Sequence, residues 1–186
     1  MKKNPSRREF VKASALLTGG LLVPSFLVPG AYAAPQNTLK LALIGCGGRG
    51  TGAVFQAFDT GHPIKLVAMA DAFADRLEGS YKPIFEKYGK DKVDVPQERR
   101  YVGFDAYKKA IAEADVVTLH LPLDDSTCQM FNAERLDKMR KGACLINLAR
   151  GGIIDEVALK QRLKEGFLGG AALDVFQEEP PRDPEL

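Results

Sequence analysis

From Leu41 to Gly50 the chain reads Leu-Ala-Leu-Ile-Gly-Cys-Gly-Gly-Arg-Gly, an apolar run passing into G-x-G-x-x-G. Those glycines meet three needs of a phosphate-binding turn. Gly45 permits the tight turn, Gly47 lets a pyrophosphate approach the backbone, and Gly50 lets the following helix pack close to the strand. A helix starting there presents free N–H groups and a positive dipole end to the phosphates. Cys46, Gly48 and Arg49 fill the positions between, with Arg49 placed to approach a phosphate. About twenty residues on, where such sites carry an acid, Asp71 closes the next apolar run. A carboxylate there hydrogen-bonds ribose hydroxyls and repels a 2′-phosphate, which points to NAD, with NADP disfavoured. The alternative is a glycine turn that only packs helix on strand, with Asp71 an ordinary strand-end cap.

Other reactive side chains are few. The three cysteines, Cys46, Cys128 and Cys144, are an odd number, so they cannot all pair within the chain. Cys46 and Cys144 read as small packing residues, and Cys128 as the exposed thiol. No cysteine pair or histidine cluster has metal-ligand spacing, so no metal site is expected. The histidines are His62, ahead of the second apolar run, and His120, near the end of a later one.

The elements that must hold these groups alternate. Strands are expected at 39–45, 65–71, 100–103, 115–121, 143–149 and 169–175. Helices are expected at about 50–58, 74–88, 105–114, 133–141 and 156–165. The strands are near-continuous apolar runs such as Val116-Val117-Thr118-Leu119, the pattern of parallel strands buried on both faces. Six strands joined by five helical crossovers give an α/β fold with a doubly wound parallel sheet. One domain is expected over residues 39–179, with no separate substrate domain. Residues 34–38 read as a linker and 180–186 as a tail.

Ahead of that domain stands a targeting pattern. Ser6-Arg7-Arg8-Glu9-Phe10 matches the twin-arginine motif. An uncharged apolar stretch follows from Ala13 to Pro29, and Ala31-Tyr32-Ala33 is the small-x-small pattern of a cleavage site. Residues 1–33 therefore read as a removable export signal, with a periplasmic destination and membrane contact only through that signal. A retained anchor is the alternative, weakened by Gly19-Gly20, Pro24 and Pro29. The formal charge of +2 owes its sign to the leader, where five basic residues face Glu9, and the remainder carries −2. No basic stripe is left to suggest nucleic acid or an anionic membrane as partner.

Two resemblances attach to these residues. From residue 6 to about 114 the chain resembles the Gfo/Idh/MocA oxidoreductase family. That resemblance is carried by Ile44–Gly50, Val67-Ala68-Met69-Ala70-Asp71 and Tyr101-Val102-Gly103-Phe104-Asp105-Ala106-Tyr107. The family's Glu-Lys-Pro motif does not occur here. From about 114 to 181 the chain is similar to the NAD domain of D-isomer-specific 2-hydroxyacid dehydrogenases. The carriers are His120-Leu121-Pro122-Leu123, Met139 to Asp155 with Asn147-Leu148-Ala149-Arg150-Gly151-Gly152 at its centre, and Ala172-Leu173-Asp174-Val175-Phe176. The two meet near 114–118.

The second resemblance implies roles. Arg150 takes the place of the arginine that holds the substrate carboxylate, and Glu179 that of the glutamate that raises a catalytic histidine's pKa. Asp174 is placed to reach the nicotinamide carboxamide, while His120, Pro122 and Ala149 line the cofactor site. The family's proton-carrying histidine lies in a later Pro-His segment absent here, so a binding fold is expected to be nearly whole and a catalytic site is not. The function implied is hydride transfer between NAD and a small-molecule hydroxy acid or a sugar or polyol. A non-catalytic NAD-binding module or a truncated fusion is the alternative. Apolar surface that a substrate domain would cover predicts a homodimer.

Overall fold

The computed structural model describes residues 38–181; the leader and the end of the tail lie outside the described residues. Six parallel strands form one sheet: β1 (Leu39–Ile44), β2 (Ile64–Asp71), β3 (Arg100–Val102), β4 (Val116–Leu119), β5 (Cys144–Asn147) and β6 (Gly170–Leu173). Their order is β3-β2-β1-β4-β5-β6. The chain winds outward through β2 and β3, then returns to pair β4 with β1, Leu41 opposite Val116 and Ile44 opposite Leu119. That reversal opens a crevice at the carboxyl ends of β1 and β4, where open parallel sheets bind ligands.

Alternation along β1 shows why the sheet needs cover on both sides. Leu41 and Leu43 belong to one core with Val54, Phe58, Leu77 and Ile84. Val54 and Phe58 come from α1 (Gly48–Asp59), and Leu77 and Ile84 from α2 (Ala74–Lys92). Ala42 and Ile44 point into the other core, with Tyr107, Ala110, Phe131, Leu136 and Leu159. That face is covered by α3 (Tyr107–Ala110), α4 (Ala133–Leu136) and α5 (Glu156–Lys164). Each large apolar side chain so buried contributes roughly 1.5–3 kcal/mol. The doubly wound α/β architecture is the one expected, with every strand within two residues of its expected limits.

The helices differ more from expectation, for local reasons. α2 runs to Lys92 rather than ending near Tyr88, but Gly89 inside it is non-helical at φ 60°, ψ −167°. The regular helix therefore stops at Gly89, a residue that tolerates positive φ. α3 and α4 are single turns rather than the longer helices expected. After α4, Lys138 and Met139 donate to Arg135 and Leu136, three residues back, the tighter pattern that ends helices. The Arg162 side chain reaches across to Asp137 at the end of α4, tying α5 to it.

Candidate functional site

Gly45 leaves β1 at φ 91°, and its N–H donates to the Ala70 carbonyl at 2.9 Å. A side chain there would meet the His120 carbonyl oxygen at 2.4 Å. At Gly50 a Cβ would lie 2.1 Å from the Gly45 oxygen, so the helix start sits directly on the turn. A Cβ at Gly47 would touch nothing within 4 Å. The backbone is thus bare toward open space just ahead of α1, which begins at Gly48 with no side-chain cap. Free helix N–H groups beside an uncovered loop fit an anionic group such as a pyrophosphate.

Asp71 closes this loop from the end of β2. One carboxylate oxygen accepts the Cys46 N–H at 2.6 Å and the other accepts the Phe73 N–H at 2.9 Å. Only 8 % of the residue is exposed. The side chain of Cys46 turns inward; its thiol donates to the Ala70 carbonyl at 3.6 Å, and burial, aided by the Asp71 charge, pushes its pKa up. What Cys46 gives the loop is its backbone N–H.

Two cavities flank the crevice. The first, of about 250 Å³, has Gly45, Gly47, Asp71, Phe73, Arg76 and His120 in its wall, with Pro122 and the apolar Tyr107 and Met130. The second, of about 340 Å³, gathers Arg49, His120, Pro122, Leu148, Ala149 and Arg150 and has no carboxylate in its wall. Asn147, at the end of β5, shapes that wall. Its buried amide donates to the Arg150 carbonyl at 2.9 Å and its oxygen accepts the Ala149 N–H at 3.1 Å. The Arg150 guanidinium is left exposed, bonded to the Ala149 carbonyl at 2.7 Å.

His120 stands between the cavities. Its Nε2 lies 2.9 Å from the Thr118 hydroxyl. Burial first, and then the Arg49 charge, hold its pKa below the ordinary 6.5. The unfolded chain therefore takes up this proton before the folded one does. The effect on stability is nil well above pH 6.5 and grows as a loss below it. Thermal melts at pH 7.5 and 5.5, values straddling the ordinary histidine pKa, should show the native chain losing more Tm than His120→Gln. Equal losses would remove His120 from the acid sensitivity.

Of the residues singled out in the sequence, Gly45, Gly47, Asp71, His120 and Pro122 meet in the first cavity, and Arg49, Ala149 and Arg150 join His120 and Pro122 in the second. Gly48, Gly50, Asp174 and Glu179 line neither. The exposed Glu179 accepts the Phe176 N–H at 3.1 Å within its own turn. His62 lies exposed ahead of β2, away from the carboxyl ends. Cys128 is exposed, as expected. Phe73, Arg76 and Thr127 escaped sequence reading. Thr127 is buried and bonds the Pro122 carbonyl at 2.7 Å; its signal was the turn-forming Asp124-Asp125-Ser126 before it.

Residues 68–186 match the family described as D-isomer specific 2-hydroxyacid dehydrogenase, NAD binding domain. The match begins within β2, upstream of the junction expected near 114–118. A putative 2-hydroxyacid dehydrogenase of Haemophilus influenzae is 54% identical over 79 residues, 42% of this chain and 25% of that protein. The D-3-phosphoglycerate dehydrogenase of Methanocaldococcus jannaschii is 40% identical over 119 residues, 64% of this chain and 21% of its own length. A glyoxylate reductase structure from Paecilomyes thermophila superposes with a TM-score of 0.59 at 28% identity, covering 81% of this chain and 39% of that one. The chain thus spans about a quarter of these curated relatives' length.

Proposed function

From the premise that the chain belongs to the D-isomer specific 2-hydroxyacid dehydrogenase family through its NAD binding domain, we propose that it seats NAD across the two cavities and contributes to oxidoreduction of a small hydroxy acid. The observation that carries this reading is the second cavity, where two arginines and a histidine meet at the carboxyl edge of the sheet with no acid beside them.

The residues divide the work by chemistry. Asp71 takes the adenosine ribose hydroxyls, and the bare backbone at Gly47 with the start of α1 takes the pyrophosphate. Arg49 supports the phosphates from the second cavity. Arg150, its backbone fixed by Asn147, offers a planar guanidinium that holds a carboxylate through two parallel hydrogen bonds. Such a clamp orients the substrate's carbinol carbon. When bound, NAD supplies hydride exchange at its nicotinamide. His120, already paired with Thr118, forms a wall between the two halves. Export by the twin-arginine route to the periplasm, and a Gfo/Idh/MocA ancestry for the first strands, belong to the same proposal and rest on the motifs alone.

A second reading, an NAD-binding module without turnover, is favoured by one observation: Glu179 and Asp174 stand outside both cavities. NADH titration followed by the cofactor's own fluorescence tests the first reading cleanly, since the chain has no tryptophan. Saturable binding is expected, and a folded chain that binds no NADH would sink the proposal. NADH oxidation with a panel of 2-oxo acids would then eliminate the module reading if any turns over.

A further inference from the structure

The Arg150 guanidinium can hold a carboxylate only where its backbone puts it, and the turn beneath it is gripped on three sides. Asn147 accepts the Ala149 N–H and donates its amide to the Arg150 carbonyl. Gly152, at φ 81°, accepts the Gln129 N–H at 2.7 Å through its carbonyl. Gly151 stands against the chain that follows β6. A Cβ on it would collide with the Phe176 carbonyl group and lie 3.1 Å from the Gln177 nitrogen. Backbone rests directly on backbone there, a close approach that only glycine permits.

Residues 174–179 thus form a strap along the outer side of the Arg150 turn, and the strap's own attachment decides how firmly that turn is held. At one end the Asp174 N–H donates to the Asn147 carbonyl at 3.1 Å. Further along, the Gln177 N–H donates at 2.5 Å to a carboxylate oxygen of Glu156, in the first turn of α5. Between them the Phe176 N–H closes on Glu179 within the strap itself. Phe176 also shares with Leu159 and Leu163 of α5 the wall of a cavity of about 380 Å³. Apolar contact has no preferred direction, so the charge-assisted bond from Glu156 is what fixes the register of the strap on Gly151.

We propose that Glu156 is a positioning residue for the substrate: by holding the 174–179 strap against Gly151 it fixes the Arg150 turn, and with it the guanidinium that takes the carboxylate. The inference rests on the reading of Arg150 as a carboxylate clamp and adds to it a residue that lines neither crevice cavity. A shift of about 1 Å in such a clamp is enough to misplace the bound group. Through its charge alone Glu156 could only repel an anionic ligand. A positioning role and a purely electrostatic one therefore predict opposite signs.

The test titrates oxalate, a planar dicarboxylate, calorimetrically into the full chain with NADH present, for the native protein and for Arg150→Ala, Glu156→Ala and Glu156→Gln. The native chain should bind oxalate and Arg150→Ala should lose it. Glu156→Ala should bind oxalate at least about threefold more weakly, from the loss of one charge-assisted bond, with NADH affinity unchanged. Glu156→Gln keeps an acceptor oxygen and sheds the charge, so it should bind oxalate as tightly as the native chain or more tightly. Native or higher oxalate affinity in Glu156→Ala would overturn the inference and leave the Arg150 clamp standing. So would equal weakening in the two Glu156 variants. Hydrogen exchange tests the unaltered chain should a variant fail to fold. Oxalate should slow exchange of the Gln177 amide, because coupling between two sites is reciprocal, and unchanged exchange there would overturn the inference. A native chain that binds NADH but no oxalate would overturn the clamp and the inference together, and leave the NAD reading standing.

Discussion

Gly50→Ala is expected to cost the chain about 3 kcal/mol of stability, the upper part of the range for forcing a methyl into a filled space, and to abolish NADH binding. Its Cβ would lie 2.1 Å from the Gly45 carbonyl oxygen and 3.0 Å from a Leu43 methyl. The first of these is backbone, which cannot rotate away, so either α1 must lift off β1 or the turn must open. Both movements pull apart the helix start and the bare loop that together face the phosphates. Thermal melting should record a drop of about 6–12 °C for a domain of this size. Gly47→Ala makes the contrast that gives the prediction its force. Gly47 has φ −75° and ψ −177°, a conformation any residue adopts, and its Cβ would meet no protein atom. Stability should stay within about 0.5 kcal/mol. NADH affinity should nevertheless fall by at least about tenfold, because the methyl occupies space reserved for the pyrophosphate. Equal NADH binding by the native chain and Gly47→Ala would mean that the loop packs and does not bind.

The same contrast explains how much was legible in the sequence. The glycine loop and Asp71 were readable because each answers a local backbone demand that few residue types meet. The inner strands were readable because burial on both faces leaves few polar positions along their centres. Helix lengths were not, since α3 and α4 end where single tertiary contacts take over. The Tyr107 ring packs at a tilt against Phe131 with centroids 5.7 Å apart, and the Arg162 side chain holds Asp137 at the end of α4. Neither partner is visible from the local pattern. Arg76 was missed for a similar reason. One arginine on a helix face looks like a solvated charge until the fold sets it in the same cavity wall as Asp71. Glu179 shows the reverse case, a residue singled out by motif position that the structure leaves exposed, bonded to the Phe176 N–H and outside both cavities.

Asp71→Asn should separate the two duties of that carboxylate. In the folded chain its two oxygens satisfy the N–H groups of Cys46 and Phe73, which otherwise face a largely closed space. An amide keeps one acceptor oxygen and turns an NH2 toward the other N–H, leaving one donor without an acceptor. That loss costs about 1–3 kcal/mol, reduced if water from the first cavity reaches the site. Asp71→Ala removes both acceptors and should destabilise further. Binding responds through a separate channel. Ribose hydroxyls donate to an ionised carboxylate more strongly than to a neutral amide, so NADH affinity should fall by about tenfold or more in Asp71→Asn. NADPH should lose less, because the substitution also removes a negative charge near the 2′-phosphate. The NADPH/NADH affinity ratio should therefore rise in Asp71→Asn. A destabilised Asp71→Asn that still binds NADH at native affinity would reduce Asp71 to a cap on the glycine loop. The ribose would then have to be held elsewhere in the cavity.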